Sequence, residues 1–147
     1  MKKKIISLFI VSTLLMVMAG CQNTNIAVEN YEWKMNVIQS YENYGKIIAC
    51  EESEKGKLEN NGEGVAVIDM IMTAKDGVLT ISDITNDKKY TGKYTKKESK
   101  AESTFYSVTM NGKEWNAVLS FTKYYEGGDK ATLIISNSDY SIQFFER

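Results

Sequence analysis

The chain has no histidine, no proline and only two cysteines in 147 residues. Without histidine no Ser-His-Asp or Cys-His nucleophile system can be assembled, and the commonest zinc ligand is missing. The carboxylates offer no replacement. Glu51 and Glu52 are adjacent, and adjacent strand residues point to opposite faces, which is no geometry for a glycosidase pair. Glu59, Asn60 and Glu63 lack the spacing of an EF-hand loop. These absences favour a protein that is not an enzyme and carries neither cofactor nor metal. A basic surplus is lacking too: 18 Lys and Arg stand against 19 Asp and Glu. That leaves no electrostatic footprint for nucleic acid.

What is present begins at the N-terminus. Lys2, Lys3 and Lys4 precede an uncharged, mostly apolar run from Ile5 to Ala19. At roughly 15 residues the run falls short of the roughly 20 that a spanning helix needs. It ends in Val17-Met18-Ala19-Gly20-Cys21. This stretch resembles the lipobox of bacterial lipoproteins, an aliphatic residue and two small residues before a lipidated cysteine. Met18 stands where leucine is commonest.

The resemblance implies that residues 1–20 are a signal peptide removed by the lipoprotein signal peptidase. Cys21 then becomes the N-terminus and carries a diacylglycerol thioether. The expected location is the cell membrane, lipid-anchored and facing the extracytoplasmic side. Each buried CH₂ contributes about 0.8 kcal/mol, and two acyl chains hold far better than one.

Cleavage removes three lysines and no acid, so the net charge moves from −1 to −4 over the remaining 127 residues. That length suits one domain. With Cys21 acylated, Cys50 has no intramolecular partner and the fold must rest on packing. Cys50 follows Ile47-Ile48-Ala49 and precedes Glu51-Glu52. This context fits a buried strand thiol with a raised pKa, not a reactive one.

Residues 21–30 are polar and aperiodic and read as a tether between the lipid and the domain. From Tyr31 to Arg147 the pattern is β throughout. Aromatic and β-branched residues alternate with polar ones, and turn clusters recur. Trp33, Met35 and Val37 share one side of a first strand, and Tyr41–Gly45 turns the chain into a second. Residues 51–64 read as the longest loop. A hairpin around Ala74–Gly77 is expected to pair Met72 with Leu79 and Met70 with Ile81. Gly92, between Tyr90 and Tyr94, suggests a bend or bulge. Asn111-Gly112 is the preferred type I′ turn, and it sets Val108 opposite Trp115 and Tyr106 opposite Ala117. Gly127-Gly128 turns the chain again. The last hairpin, around Ser136–Asp139, is expected to pair Leu133 with Ile142, Ile135 with Tyr140 and Ala131 with Phe144.

The strands number eight or nine, mostly joined by short turns. An antiparallel meander of this kind loses its edges by closing into a small up-and-down barrel. A two-sheet sandwich is the alternative. Trp33 early in the first strand, the hairpin meander and Arg147 after the last strand resemble the lipocalin and calycin barrels. In those a Gly-x-Trp motif opens the barrel and a late basic residue packs across the tryptophan. Here Tyr31 takes the glycine's place.

The resemblance implies an inward set from which a cavity could bind a small apolar ligand: Trp33, Met35, Met70, Met72, Tyr106, Trp115, Phe121, Leu133 and Phe144. The same side chains, with Val37, Leu79, Ile81, Val108, Leu119 and Ile142, equally describe a closed core. A second function class is a surface protein-interaction module, such as an inhibitor of a cell-wall hydrolase. Tyr41 and Tyr44 in one turn and Tyr124 and Tyr125 in another are candidate contacts for it.

Overall fold

The computed structural model describes residues 27–124 and 128–147. The leader, Cys21 and the tether as far as residue 26 lie outside the described residues, as do Tyr125 and Gly127. Among the described residues no helix is long and apolar enough to cross a membrane.

Among the described residues ten strands form one sheet: β1 (Trp33–Ser40), β2 (Lys46–Cys50), β3 (Ala66–Val67), β4 (Met70–Lys75), β5 (Val78–Asp83), β6 (Lys88–Lys100), β7 (Ser103–Met110), β8 (Lys113–Tyr124), β9 (Gly128–Ser136) and β10 (Tyr140–Glu146). From β4 to β10 each strand pairs antiparallel with the next. Strand β10 pairs back onto β1, and β1 onto β4, so eight strands close a lipocalin-like barrel. Closure leaves those strands no free edge, the hazard of an open meander.

The wall forks at one place. The first residues of β1 pair with β4, and its second half pairs with β2. Strand β2 then pairs parallel with β3. Residues 51–65 make that parallel crossover. The expected loop there contains a short helix at Glu52–Lys55 and a 3-10 turn at Glu59–Gly62.

Two hairpins sit two residues from the expected register. Met72 faces Ile81 and Met70 faces Asp83, because the turn is Asp76-Gly77, with φ of +52° and +78°, and not the four residues Ala74–Gly77. Both turn residues occupy the left-handed region that a two-residue type I′ turn requires. In the last hairpin Ile135 faces Ile142 and Leu133 faces Phe144. Here Asn137 Oδ1 accepts hydrogen bonds from the backbone N–H groups of Asp139 and Tyr140, so the turn lies one residue further along. A shift of two residues preserves which face each side chain occupies. The Asn111-Gly112 hairpin has the register expected of it.

Gly92 is neither a bend nor a bulge. It pairs regularly with Leu79 and Met110. A Cβ there would lie 3.0 Å from Met110 Cβ and 3.1 Å from the Thr109 carbonyl oxygen. The glycine makes room for two neighbouring strands to approach.

The core fills the barrel's middle. Trp33, Met35, Met72, Val108, Leu119, Leu133, Ile135 and Phe144 are almost wholly excluded from solvent. Cys50 is likewise buried, and that burial, reinforced by Glu54, Glu52 and Glu51 against the opposing Lys55, pushes its thiol pKa up.

Candidate functional site

The two ends of the barrel differ. At one end lie the β4–β5 and β6–β7 turns and the first described residues. There Val28–Asn30 forms a single 3-10 turn that plugs the barrel. Val28 is 4% exposed and belongs to the core. Its N–H donates to the Tyr106 hydroxyl at 3.1 Å, and its carbonyl accepts the Trp33 indole N–H at 3.0 Å. The Tyr94 hydroxyl donates to the Glu29 carboxylate. Tyr94 and Tyr106 meet edge-on at 5.9 Å. Burial, with the Glu29 hydrogen bond added, pushes the Tyr94 pKa up to about 12; burial likewise raises Tyr106. The stretch expected to be tether therefore ends before Val28. Val28 ends the three-residue apolar run Ile26-Ala27-Val28, which is too short to show a period that marks it as core.

The other end gathers the β1–β2, β5–β6, β7–β8 and β9–β10 turns. Below them an apolar pocket of about 380 Å³ opens between the strands. Ile38 and Ile48 form its wall where the sheet forks. Met70, Ile81 and Tyr90 line one side, and Met110, Trp115, Tyr140 and Ile142 the other. None of these nine side chains carries a charge at neutral pH. The volume falls within the range of small-molecule sites. Trp115 Nε1 is shielded from solvent and has no hydrogen-bond partner among the described residues.

Of the nine residues expected to line a cavity, Met70 and Trp115 border this pocket. Trp33, Met35, Met72, Tyr106, Leu133 and Phe144 are packed in the closed core instead. Phe121 rests against that core, half-buried, toward the plugged end of β8. The interior is thus closed through most of its length because these large side chains fill an eight-stranded barrel. Val37 does not point inward as expected. A bulge between Met35 and Val37 shifts the alternation, so Asn36 is buried and Ile38 takes the inward place. Asn36 Nδ2 reaches Gln143 Oε1 at 3.4 Å.

Sequence reasoning passed over Ile38, Ile48, Tyr90, Met110 and Tyr140. Ile38 and Ile48 are hidden by register shifts in β1 and β2. Met110 was legible, since it shares the parity of Tyr106 and Val108.

Arg147 does not pack across Trp33 as the lipocalin resemblance implies. Its backbone N–H donates to the Glu32 carbonyl at 2.9 Å, and its guanidinium pairs with the Glu32 carboxylate at 3.5 Å. Trp33 instead stacks at a tilt on Tyr31, ring centroids 5.2 Å apart.

Around the open end several apolar side chains face solvent: Tyr41, Tyr44, Ile84 and Tyr140. The β1–β2 and β9–β10 turns are joined there by Tyr41 N–H donating to the Asp139 carbonyl at 2.9 Å. The backbone of Tyr124 lies at the other end, paired with Gly128, so the two tyrosine turns do not share an end.

Several charges on the polar surface are paired. Lys34 Nζ lies 2.6 Å from Glu51 Oε2, and Lys113 Nζ lies 3.0 Å from Asp139 Oδ2. Burial works to raise the Glu51 pKa, but hydrogen bonds from Lys34 and Ser53 outweigh it and hold the carboxyl below its usual value. No family model, curated protein or solved structure matches the chain.

Proposed function

We propose that the protein is a lipid-anchored, extracytoplasmic, non-catalytic binding module that takes a small apolar ligand into the open end of its barrel. The observation that carries this reading is the apolar pocket of about 380 Å³ beneath the β1–β2 and β9–β10 turns, walled by nine uncharged side chains. The leader and the residues around Cys21 support the anchor. The domain's first described residues lie at the plugged end, opposite the pocket mouth.

Isothermal titration with a neutral aromatic probe such as acetophenone tests the binding role. The unmodified barrel binds it, and Ile48→Trp, which fills the pocket from the fork in the sheet, abolishes binding with no loss of thermal stability. Equal binding by both proteins contradicts the pocket as the site.

A second reading is a protein-interaction module, for example an inhibitor of a cell-wall hydrolase. The exposed Tyr41, Tyr44 and Tyr140 around the same end favour it. Aromatic residues with a polar tip are enriched in protein interfaces. Replacing Tyr41 and Tyr44 together by serine removes inhibition of the target hydrolase under this reading and leaves acetophenone binding intact.

A further inference from the structure

Trp115 combines two properties that suit a ligand site. The residue borders the open apolar pocket, and its indole N–H is shielded from solvent without an acceptor among the described residues. An indole nitrogen donates and cannot accept, so only an acceptor satisfies it. Buried polar groups in folded proteins are almost always paired, and an orphan carries a free-energy cost that an incoming partner removes. The other tryptophan shows the ordinary outcome: Trp33 Nε1 donates to the Val28 carbonyl at 3.0 Å. Trp115 is half-buried, and a turn of its ring would present the shielded N–H to a molecule seated beside it.

The surrounding chemistry narrows the class of that molecule. No lining side chain is charged, and the Lys113 ammonium at the same end is engaged by Asp139 at 3.0 Å. A carboxylate entering the pocket would be stripped of water with no cation to meet it, which is strongly unfavourable. A hydrocarbon would fill the space and leave the indole N–H unpaired. At roughly 30 Å³ for each water-sized group, a volume of about 380 Å³ holds on the order of a dozen non-hydrogen atoms.

We infer that the pocket selects neutral ligands with an apolar body and one carbonyl-type hydrogen-bond acceptor, which takes the indole N–H of Trp115. This inference rests on the binding role proposed above and names the class of ligand for that site.

Three probes of one shape test it: acetophenone, α-methylstyrene, in which C=CH₂ replaces C=O, and benzoate, in which the methyl becomes an ionised oxygen. Each is titrated into ¹⁵N-labelled full-length protein at pH 7. The two tryptophans supply two indole N–H signals, one for Trp33 and one for Trp115. Acetophenone moves the Trp115 signal downfield and leaves the Trp33 signal in place, which also reports that the barrel stays folded. Trp115→Phe weakens acetophenone about tenfold and leaves α-methylstyrene within about twofold, the size expected for one good hydrogen bond. Benzoate binds at least about tenfold more weakly than acetophenone. Equal losses for ketone and hydrocarbon in Trp115→Phe overturn the inference, as does benzoate binding tightest; both outcomes leave the pocket reading standing. Failure of all three probes to bind overturns the pocket reading itself and the inference with it.

Discussion

The indole N–H of Trp33 donates to the carbonyl oxygen of Val28 at 3.0 Å, across five positions of sequence. That bond fastens a single 3-10 turn over one end of the barrel, with Val28 as its apolar stopper. Val28→Ala removes two buried methyl groups and leaves the hydrogen bonds in place. It lowers the unfolding free energy by about 1–2 kcal/mol, on the scale of other buried methyl deletions. Urea denaturation measures the change; an unaltered midpoint would mean that Val28 contributes no core contact.

Alkali should loosen the same plug. Tyr94 holds its proton to about pH 12 in the folded chain, against 10.0 for an unperturbed tyrosine. The folded state thus binds this proton more tightly than the unfolded state does. The resulting stability is whole below pH 10 and is lost as pH rises from 10 to 12. Tyr106 and Tyr31 are shifted in the same direction. Tyr94→Phe costs about 1 kcal/mol at pH 8 through loss of the Glu29 bond, and its melting temperature falls less steeply than that of the unmodified protein between pH 10 and 12. Parallel melting curves across that window would rule out Tyr94 as the titrating group.

Gly92 is constrained by its neighbours and not by its backbone angles. A methyl group placed there lies 3.0 Å from Met110 Cβ and 3.1 Å from the Thr109 carbonyl oxygen. Gly92→Ala is therefore overpacked and destabilises by roughly 1–3 kcal/mol. Since Met110 also lines the pocket, the same substitution weakens acetophenone binding. A fully stable Gly92→Ala would show that β6 and β7 can separate freely.

The β4–β5 turn makes the converse case, in which backbone angles decide. Asp76 sits at a φ of +52°. Asp76→Gly is neutral or slightly stabilising, whereas Asp76→Val costs about 1–2 kcal/mol because a β-branched side chain crowds the left-handed region. Thermal melts of the two variants separate these outcomes, and equal melting temperatures would contradict the turn assignment.

Much of the barrel was legible because its information is local and periodic. Alternation along β7 and β8, with Asn111-Gly112 between them, specifies the register of that hairpin outright. Alternation also preserves the facing of Met70, Met72, Leu79 and Ile81 when the register is misplaced by two residues, because strand side chains repeat every second position. The pocket was harder to see. Its wall depends on a bulge after Met35, which turns Ile38 inward, and on β2 entering the fork between β1 and β4, which brings Ile48 to the rim. Bulges and parallel crossovers leave no period to read. Large side chains such as Trp33 and Phe144 look alike in a pattern whether they line a cavity or fill it. Their packing is a property of all eight strands together.

The anchor has its own test. Cys21→Ser removes the thiol that the diacylglycerol would take, which prevents acylation and leaves the precursor unprocessed. The expected outcome is loss of the lipid-modified form and of the mature membrane-bound species, followed by metabolic labelling with a palmitate analogue. Label incorporated by Cys21→Ser would place the acyl group elsewhere.

The pocket itself is tested most directly by ¹³C-methyl NMR of the isoleucines during titration with acetophenone. Ile38, Ile48, Ile81 and Ile142 border the pocket, whereas Ile135 is sealed in the core. The δ1-methyl signals of Ile38, Ile48, Ile81 and Ile142 should move in a saturable way while that of Ile135 stays fixed. A saturable shift of Ile135 without the others, or no saturable shift at any of the five, would contradict a ligand site at the open end of the barrel.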